Sequence, residues 1–96
     1  MAKYIALVNW TDQGIKNVKD SPSRVDAARE MARNLDCEMQ DFYLTIGAYD
    51  MVVTIEAPND ETVAKFALKL ASAGNVRTTT LKALSEDTYR GIIDAL

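Results

Sequence analysis

Apolar and polar positions alternate in blocks along this 96-residue chain, and the period of the alternation changes from block to block. Tyr4-Ile5-Ala6-Leu7-Val8-Asn9-Trp10 is short, β-branched and aromatic, and Thr11-Asp12-Gln13-Gly14 closes it with turn formers. That predicts a strand followed by a cap or turn. After a weakly helical stretch with Ile15 and Val18, Ser21-Pro22 brings an N-cap with proline at the first helical position. From Val25 the apolar residues recur at Ala28, Met31, Ala32 and Leu35, while Arg24, Asp26, Arg29, Glu30 and Arg33 take the other faces. Three-and-four spacing of this kind predicts a helix with one buried face.

Asp41-Phe42-Tyr43-Leu44-Thr45-Ile46 alternates with period two, which predicts a strand with Phe42, Leu44 and Ile46 in a core and Tyr43 and Thr45 on the other side. Gly47-Ala48-Tyr49-Asp50 reads as a compact loop, and the β-branched Met51-Val52-Val53-Thr54-Ile55-Glu56 completes a hairpin. Pro58-Asn59-Asp60 stops that strand and caps a helix with Val63, Phe66, Ala67 and Leu70 on one face and Gly74 as its stop. The threonine-rich Val76–Leu84 segment suits a fourth strand. Ser85-Glu86-Asp87 starts a last short helix carrying Tyr89, Ile92, Ile93 and Leu96.

The order βαββαβ with a C-terminal helix is the ferredoxin-like pattern, an α+β fold on a four-stranded antiparallel sheet, with residues 1–96 as one domain. Within the sheet, right-handed crossovers are expected to set the first and third strands side by side in parallel and to leave the fourth and second at the edges. Both long helices then cover one face. The other carries exposed Tyr, Trp, Val and Thr side chains, more apolar surface than a monomer leaves in water. A second copy is expected to cover it, giving a dimeric α+β barrel whose interior is a natural small-molecule cavity.

Composition removes several functions from this picture. With 11 Lys+Arg against 14 Asp+Glu the net charge is -3, so no basic excess exists to neutralise a row of phosphates, and no nucleic-acid partner is expected. RNA-recognition modules share the topology, but the third strand here lacks their stacking aromatics. The absence of histidine removes the usual general base, haem ligand and metal-binding nitrogen together. Asp36, Glu38 and Asp41 are acids spread along a loop and strand start, so neither a metal nor another cofactor is expected. A single Cys37 cannot form an internal disulfide, and no leader or membrane-length apolar run is visible, so the expectation is a cytoplasmic protein without a membrane partner.

Four places carry candidate chemistry. At Gly47-Ala48-Tyr49-Asp50, the Tyr49 hydroxyl and Asp50 carboxylate can bind or polarise a substrate, with Asp50 as general base, although turn chemistry alone explains the residue types. Arg77 lies beside Thr78, Thr79 and Thr80, and alternation puts Thr78 and Thr80 on one face and Arg77 and Thr79 on the other. Either pair could hold a carboxylate, although strand propensity for the threonines and an ion pair of Arg77 with an acid on the dimer surface explain them without a ligand. Asn9 and Trp10 end the first strand, near a barrel mouth, where an amide orients a ligand and an indole stacks on it, or where the indole packs at a dimer contact. Tyr43 and Thr45 fit the open face, with Tyr43 the first choice for a phenolic acid or donor.

Phe42-Tyr43-Leu44-Thr45-Ile46-Gly47-Ala48-Tyr49-Asp50 and Gly74-Asn75-Val76-Arg77-Thr78-Thr79-Thr80-Leu81 resemble the signature of the GYD domain family, named for its Gly-x-Tyr-Asp loop. Asn9-Trp10-Thr11-Asp12-Gln13-Gly14 and Glu56-Ala57-Pro58-Asn59-Asp60-Glu61 resemble the same pattern, so the likeness covers nearly the whole chain. It implies a dimeric ferredoxin-like barrel and a family without an assigned reaction. One departure lies before the second strand, where Leu35-Asp36-Cys37-Glu38 replaces an expected glycine-rich turn. The leading expectation is a homodimer, or higher homo-oligomer, that binds a small partly apolar molecule between sheet and helices or within its barrel. Two alternatives stand beside it. One is a cofactor-independent monooxygenase or isomerase using Tyr43, Tyr49 and Asp50 for proton transfer and Arg77 or Asn9 for an oxyanion; the other is a structural or regulatory assembly module.

Overall fold

The structure, a computed structural model, describes all 96 residues. β1 (Ala2–Trp10) leads into the short helix α1 (Asp12–Lys16), a 3-10 turn (Val18–Asp20) and the long helix α2 (Ser21–Asn34). β2 (Glu38–Leu44) and β3 (Met51–Ala57) form the expected hairpin. α3 (Asp60–Ser72), β4 (Val76–Ala83) and α4 (Glu86–Asp94) follow. Gly74 ends the α3 turn as expected, at φ +89°, with its N–H donating to the Ala71 carbonyl over 2.9 Å.

The sheet runs β2-β3-β1-β4, and every neighbouring pair is antiparallel. The expected parallel pairing of the first and third strands is therefore wrong: Ala2 lies opposite Ala57 and Val8 opposite Met51. The crossover rule governs strands joined by a helix, here β1 with β2 and β3 with β4. Each of those parallel pairs is split by one intervening strand, which is antiparallel to both.

Period-two alternation sends Tyr4, Ala6 and Val8 of β1 and Met51, Val53 and Ile55 of β3 to one face. Ala28 and Ala32 of α2 and Val63 and Phe66 of α3 cover it, with Phe66 the largest fully buried side chain. β2 begins earlier than the sequence pattern indicates, at Glu38 rather than Asp41, and has a register shift between Met39 and Phe42. At its far end the strand stops at Leu44, and Thr45 and Ile46 belong to the loop, which the Thr45 N–H closes on the Asp50 carbonyl (2.8 Å). Phe42 packs against the core, but Leu44 is 68% exposed and Ile46 fully exposed, contrary to their expected place inside.

The turn before β2 accounts for the early start. The Cys37 N–H reaches back to the Ala32 carbonyl (2.8 Å) and the Asp36 N–H to the Arg33 carbonyl (3.1 Å), and Asp36 is left-handed at φ 60°. That conformation suits glycine, and Asp36 adopts it at a steric cost. Asp36→Gly should raise stability by up to about 1 kcal/mol, read as a higher urea midpoint at unchanged m-value.

The second sheet face has no cover. Tyr43, Val52, Leu7 and Thr79 form one row across it in register, and Ile5 lies beside Leu81 in the next. Trp10 is not among them: it pairs with Val76 and packs against the core on the helix side. α4 buries none of its residues, and Tyr89, Ile92 and Ile93 are about half exposed (57%, 48% and 48%). No helix is long and apolar enough to cross a membrane.

Candidate functional site

Asp50 joins the hairpin loop to the end of β1. Its carboxylate Oδ2 accepts the Trp10 N–H (3.0 Å), and its own N–H donates to Asn9 Oδ1 and to the Val8 carbonyl, both at 3.0 Å. Thr45 Oγ1 donates to the Tyr49 carbonyl (2.5 Å), closing the loop from inside. Asn9, Thr45, Tyr49 and Asp50 are therefore brought together, but as a clasp: backbone groups partner the side-chain oxygens of Asn9, Thr45 and Asp50, and Tyr49 takes part through its carbonyl rather than its hydroxyl. Tyr43 is on the adjoining strand, 59% exposed on the uncovered face.

A second junction uses the residues around Gly14. Thr11 donates its N–H to the Asn75 carbonyl (3.0 Å) and its hydroxyl to the Gly74 carbonyl (2.5 Å), while Gly14 N–H donates back to Thr11 Oγ1 (3.1 Å). Gln13 Nε2 donates to the Ala73 carbonyl (3.2 Å) and to Asn75 Oδ1 (3.0 Å). Two of the sequence fragments that carry the resemblance, around residues 9–14 and 74–81, thus interlock in space.

The faces of β4 are resolved by its register. Thr78 and Thr80 pair with Val8 and Ala6 and line the helix side with Phe66, while Arg77 and Thr79 pair with Asn9 and Leu7 on the uncovered face. Thr78 and Thr80 therefore cannot line a barrel built on that face; Arg77 can, beside Asn9. Trp10 is on the helix side, away from them.

The sequence pattern does not single out Tyr4, although a hydroxyl on a core aromatic generally needs a partner. Its OH donates to Asp60 Oδ1 (2.5 Å), and Lys82 Nζ is 3.2 Å from the same oxygen. The hydrogen bond to Asp60, then burial and the Asp60 charge, push the Tyr4 hydroxyl up to about 12. The hydrogen bonds from Tyr4 and Lys82 hold Asp60 below the usual carboxylate range. Because the folded Tyr4 pKa lies above its unfolded value, its contribution is complete below pH 10.0 and lost as pH rises towards 12. The stability advantage of the natural chain over Tyr4→Phe should accordingly shrink across that interval in urea titrations. Asp60 has the opposite sign, and its contribution fades as pH falls below 3.8.

No single sequence motif marks a cavity of about 230 Å³ that lies between α2 and the sheet. Trp10, Val25, Met31, Phe42 and Leu70 contribute apolar wall, and Ser21, Arg24 and Asn75 supply the polar groups. The available hint is that α2 turns only alanines, Ala28 and Ala32, fully into the core. Cys37 is buried, and burial, then the Asp36 charge, push its thiol up, which suits an inert packing residue.

Comparison with known proteins adds to this geometry. A family model described as the GYD domain matches residues 4–93. A Thermus thermophilus protein named "Glutamine synthetase and cystathionine beta-lyase binding protein" is 35% identical over 85 residues, covering 88% of this chain and 90% of its own. Among solved structures, a feast or famine regulatory protein from M. tuberculosis complexed with L-methionine has a TM-score of 0.68 at 15% identity, over 88% of this chain and 51% of that one. This chain therefore spans about half the length of that regulator. A second crystal structure, of a Thermus thermophilus protein, has a TM-score of 0.57 at 23% identity, over 88% of this chain and 95% of its own. At these identities the solved structures establish the α+β ferredoxin-like fold alone.

Proposed function

Because the chain belongs to the GYD domain family, we propose that it acts as a cytoplasmic homodimeric binding module whose two uncovered sheet faces meet in an α+β barrel and whose outer surface engages a partner enzyme. The observation that carries this reading is the uncovered face itself, where Ile5, Leu7, Val52 and Leu81 are aligned in register with nothing packed on them. Burying such a patch against its own copy is a self-complementary solution open to a single chain. α4 carries further exposed apolar residues, Tyr89, Ile92 and Ile93. A protein partner is supported by the relative named for binding glutamine synthetase and cystathionine beta-lyase.

A small partly apolar ligand is a second reading, favoured by the cavity under α2 and by Arg77 and Asn9 on the barrel side. The oxygenase or isomerase reading has less support, since the Asp50 carboxylate already accepts a backbone N–H.

Light scattering at micromolar concentration tests the proposal, with the protein alone and with purified glutamine synthetase of the source organism added. The expected results are a mass twice the 10.6 kDa of one chain, and a heavier species in the mixture. A monomer would overturn the barrel; an unchanged mixture would overturn glutamine synthetase as partner.

A further inference from the structure

The cavity under α2 has chemistry at one end only. Ser21 and Arg24 are one turn apart on α2, and Arg24 donates to the Gly14 carbonyl (3.1 Å) and the Asn17 carbonyl (3.0 Å). Asn75 reaches the same point from the opposite side, its backbone carbonyl packed against Gly14. Two carbonyls use two of the five guanidinium donors, and Arg24 takes part in none of the four ion pairs of the chain, so its charge is left without a carboxylate. Asn75 Oδ1 accepts from Gln13, and its amide N–H donors have no partner within the chain. The Ser21 hydroxyl makes no hydrogen bond to another side chain or to the backbone. The first turn of the fourteen-residue α2 adds a favourable dipole for negative charge, though the exposed Asp20 before it weakens that term.

The rest of the wall is apolar. Trp10 and Phe42 give flat surfaces, and Met31, Met39 and Met51 give flexible, polarisable ones that adjust to a slender guest. On the α2 side the wall includes the small, buried Ala28.

We propose that this cavity binds a small amphipathic anion: an unbranched alkyl chain ended by a carboxylate, the head on Arg24, Ser21 and Asn75 and the tail against Trp10 and Phe42. At roughly 30 Å³ for each small group in a liquid, 230 Å³ takes about eight non-hydrogen atoms, the size of hexanoate. This site rests on the small-ligand reading given above and names its ligand class; it is on the helix side of the sheet, so its failure would leave the dimer contact and the partner enzyme untouched.

Trp10 is the chain's one tryptophan and lines the site, so its fluorescence reports occupancy directly. Hexanoate titrated into the natural protein should change Trp10 emission saturably, with 1-hexanol, the same chain without the carboxylate, at least about tenfold weaker. Arg24→Gln should bring hexanoate down to the level of hexanol while leaving hexanol unchanged. Because Arg24 also holds two carbonyls, Ser21→Ala provides a milder variant that should weaken hexanoate alone. Ala28→Leu, which fills the space, should abolish both signals while thermal melting remains cooperative. No saturable change with hexanoate overturns the site. Equal affinity for acid and alcohol overturns the anionic head, and a signal that survives Ala28→Leu in a folded protein overturns the location.

Discussion

Gly14→Ala is expected to lower stability by about 3 kcal/mol or more, the upper end of what overpacking costs, with a urea midpoint far below that of the natural chain. A Cβ built at Gly14 falls 1.9 Å from the Asn75 carbonyl oxygen and 2.9 Å from its carbon. Both are backbone atoms, and neither can swing aside as a side-chain tip can. The Asn75 carbonyl is fixed there because it accepts the Thr11 N–H at 3.0 Å, and the neighbouring Gly74 carbonyl accepts the Thr11 hydroxyl. Relieving the clash means separating α1 from the α3–β4 turn and breaking those bonds together with the Gln13 contacts. Gly91 provides the control in the same experiment. It lies in α4 with nothing within 4 Å of the added Cβ, so Gly91→Ala should leave stability unchanged or raise it by up to about 1 kcal/mol.

Asp50→Ala is expected to cost about 2 kcal/mol, measured in the same way, since a hydrogen bond to a charged group contributes about 1.5–3 kcal/mol. The substitution removes the acceptor of the Trp10 N–H and loosens the loop at the point where β1, β2 and β3 are joined. Asp50→Asn keeps one oxygen in place and should lose less than half as much. A catalytic aspartate gives a different pattern, with activity lost in both variants and stability barely moved. The ordering Ala below Asn below Asp in stability is therefore the signature of the clasp.

The order of the elements and the faces of the long helices were legible in the sequence because each is a local periodicity. Val63 and Phe66 recur at helical spacing and do fill the core, and Gly74 does end the helix turn. The β2 boundary is not legible in the sequence, because it depends on Asp36 accepting a left-handed turn and on how the loop closes, with the Thr45 N–H on the Asp50 carbonyl and its hydroxyl on the Tyr49 carbonyl. Alternation showed that Thr78 and Thr80 share a face, but only the partners Val8 and Ala6 reveal which face it is. The direction of β1 relative to β3, antiparallel where the sequence pattern predicts parallel, has a similar origin. Handedness constrains strands joined by a helix, and the neighbour that slips between them is set by the whole sheet. The polar groups of the α2 cavity are not legible in the sequence because Ser21, Arg24 and Asn75 come from two distant segments that meet only around Gly14.

The central position of β1 has a consequence for how the chain reaches its native state. Its two neighbours are β3 and β4, with Val8 opposite Met51 and Lys3 opposite Ala83, so the first strand waits for one segment about half a chain length away and another most of a chain length away. During synthesis the β2–β3 hairpin can close by itself, but its inner edge stays unpaired until β1 docks, and the other side of β1 stays unpaired until β4 emerges. Loop closure over such distances slows folding, and an open strand edge is a template for pairing with another chain. The time between emergence of β3 and docking of β4 is thus the interval in which this small domain is most exposed to misassociation.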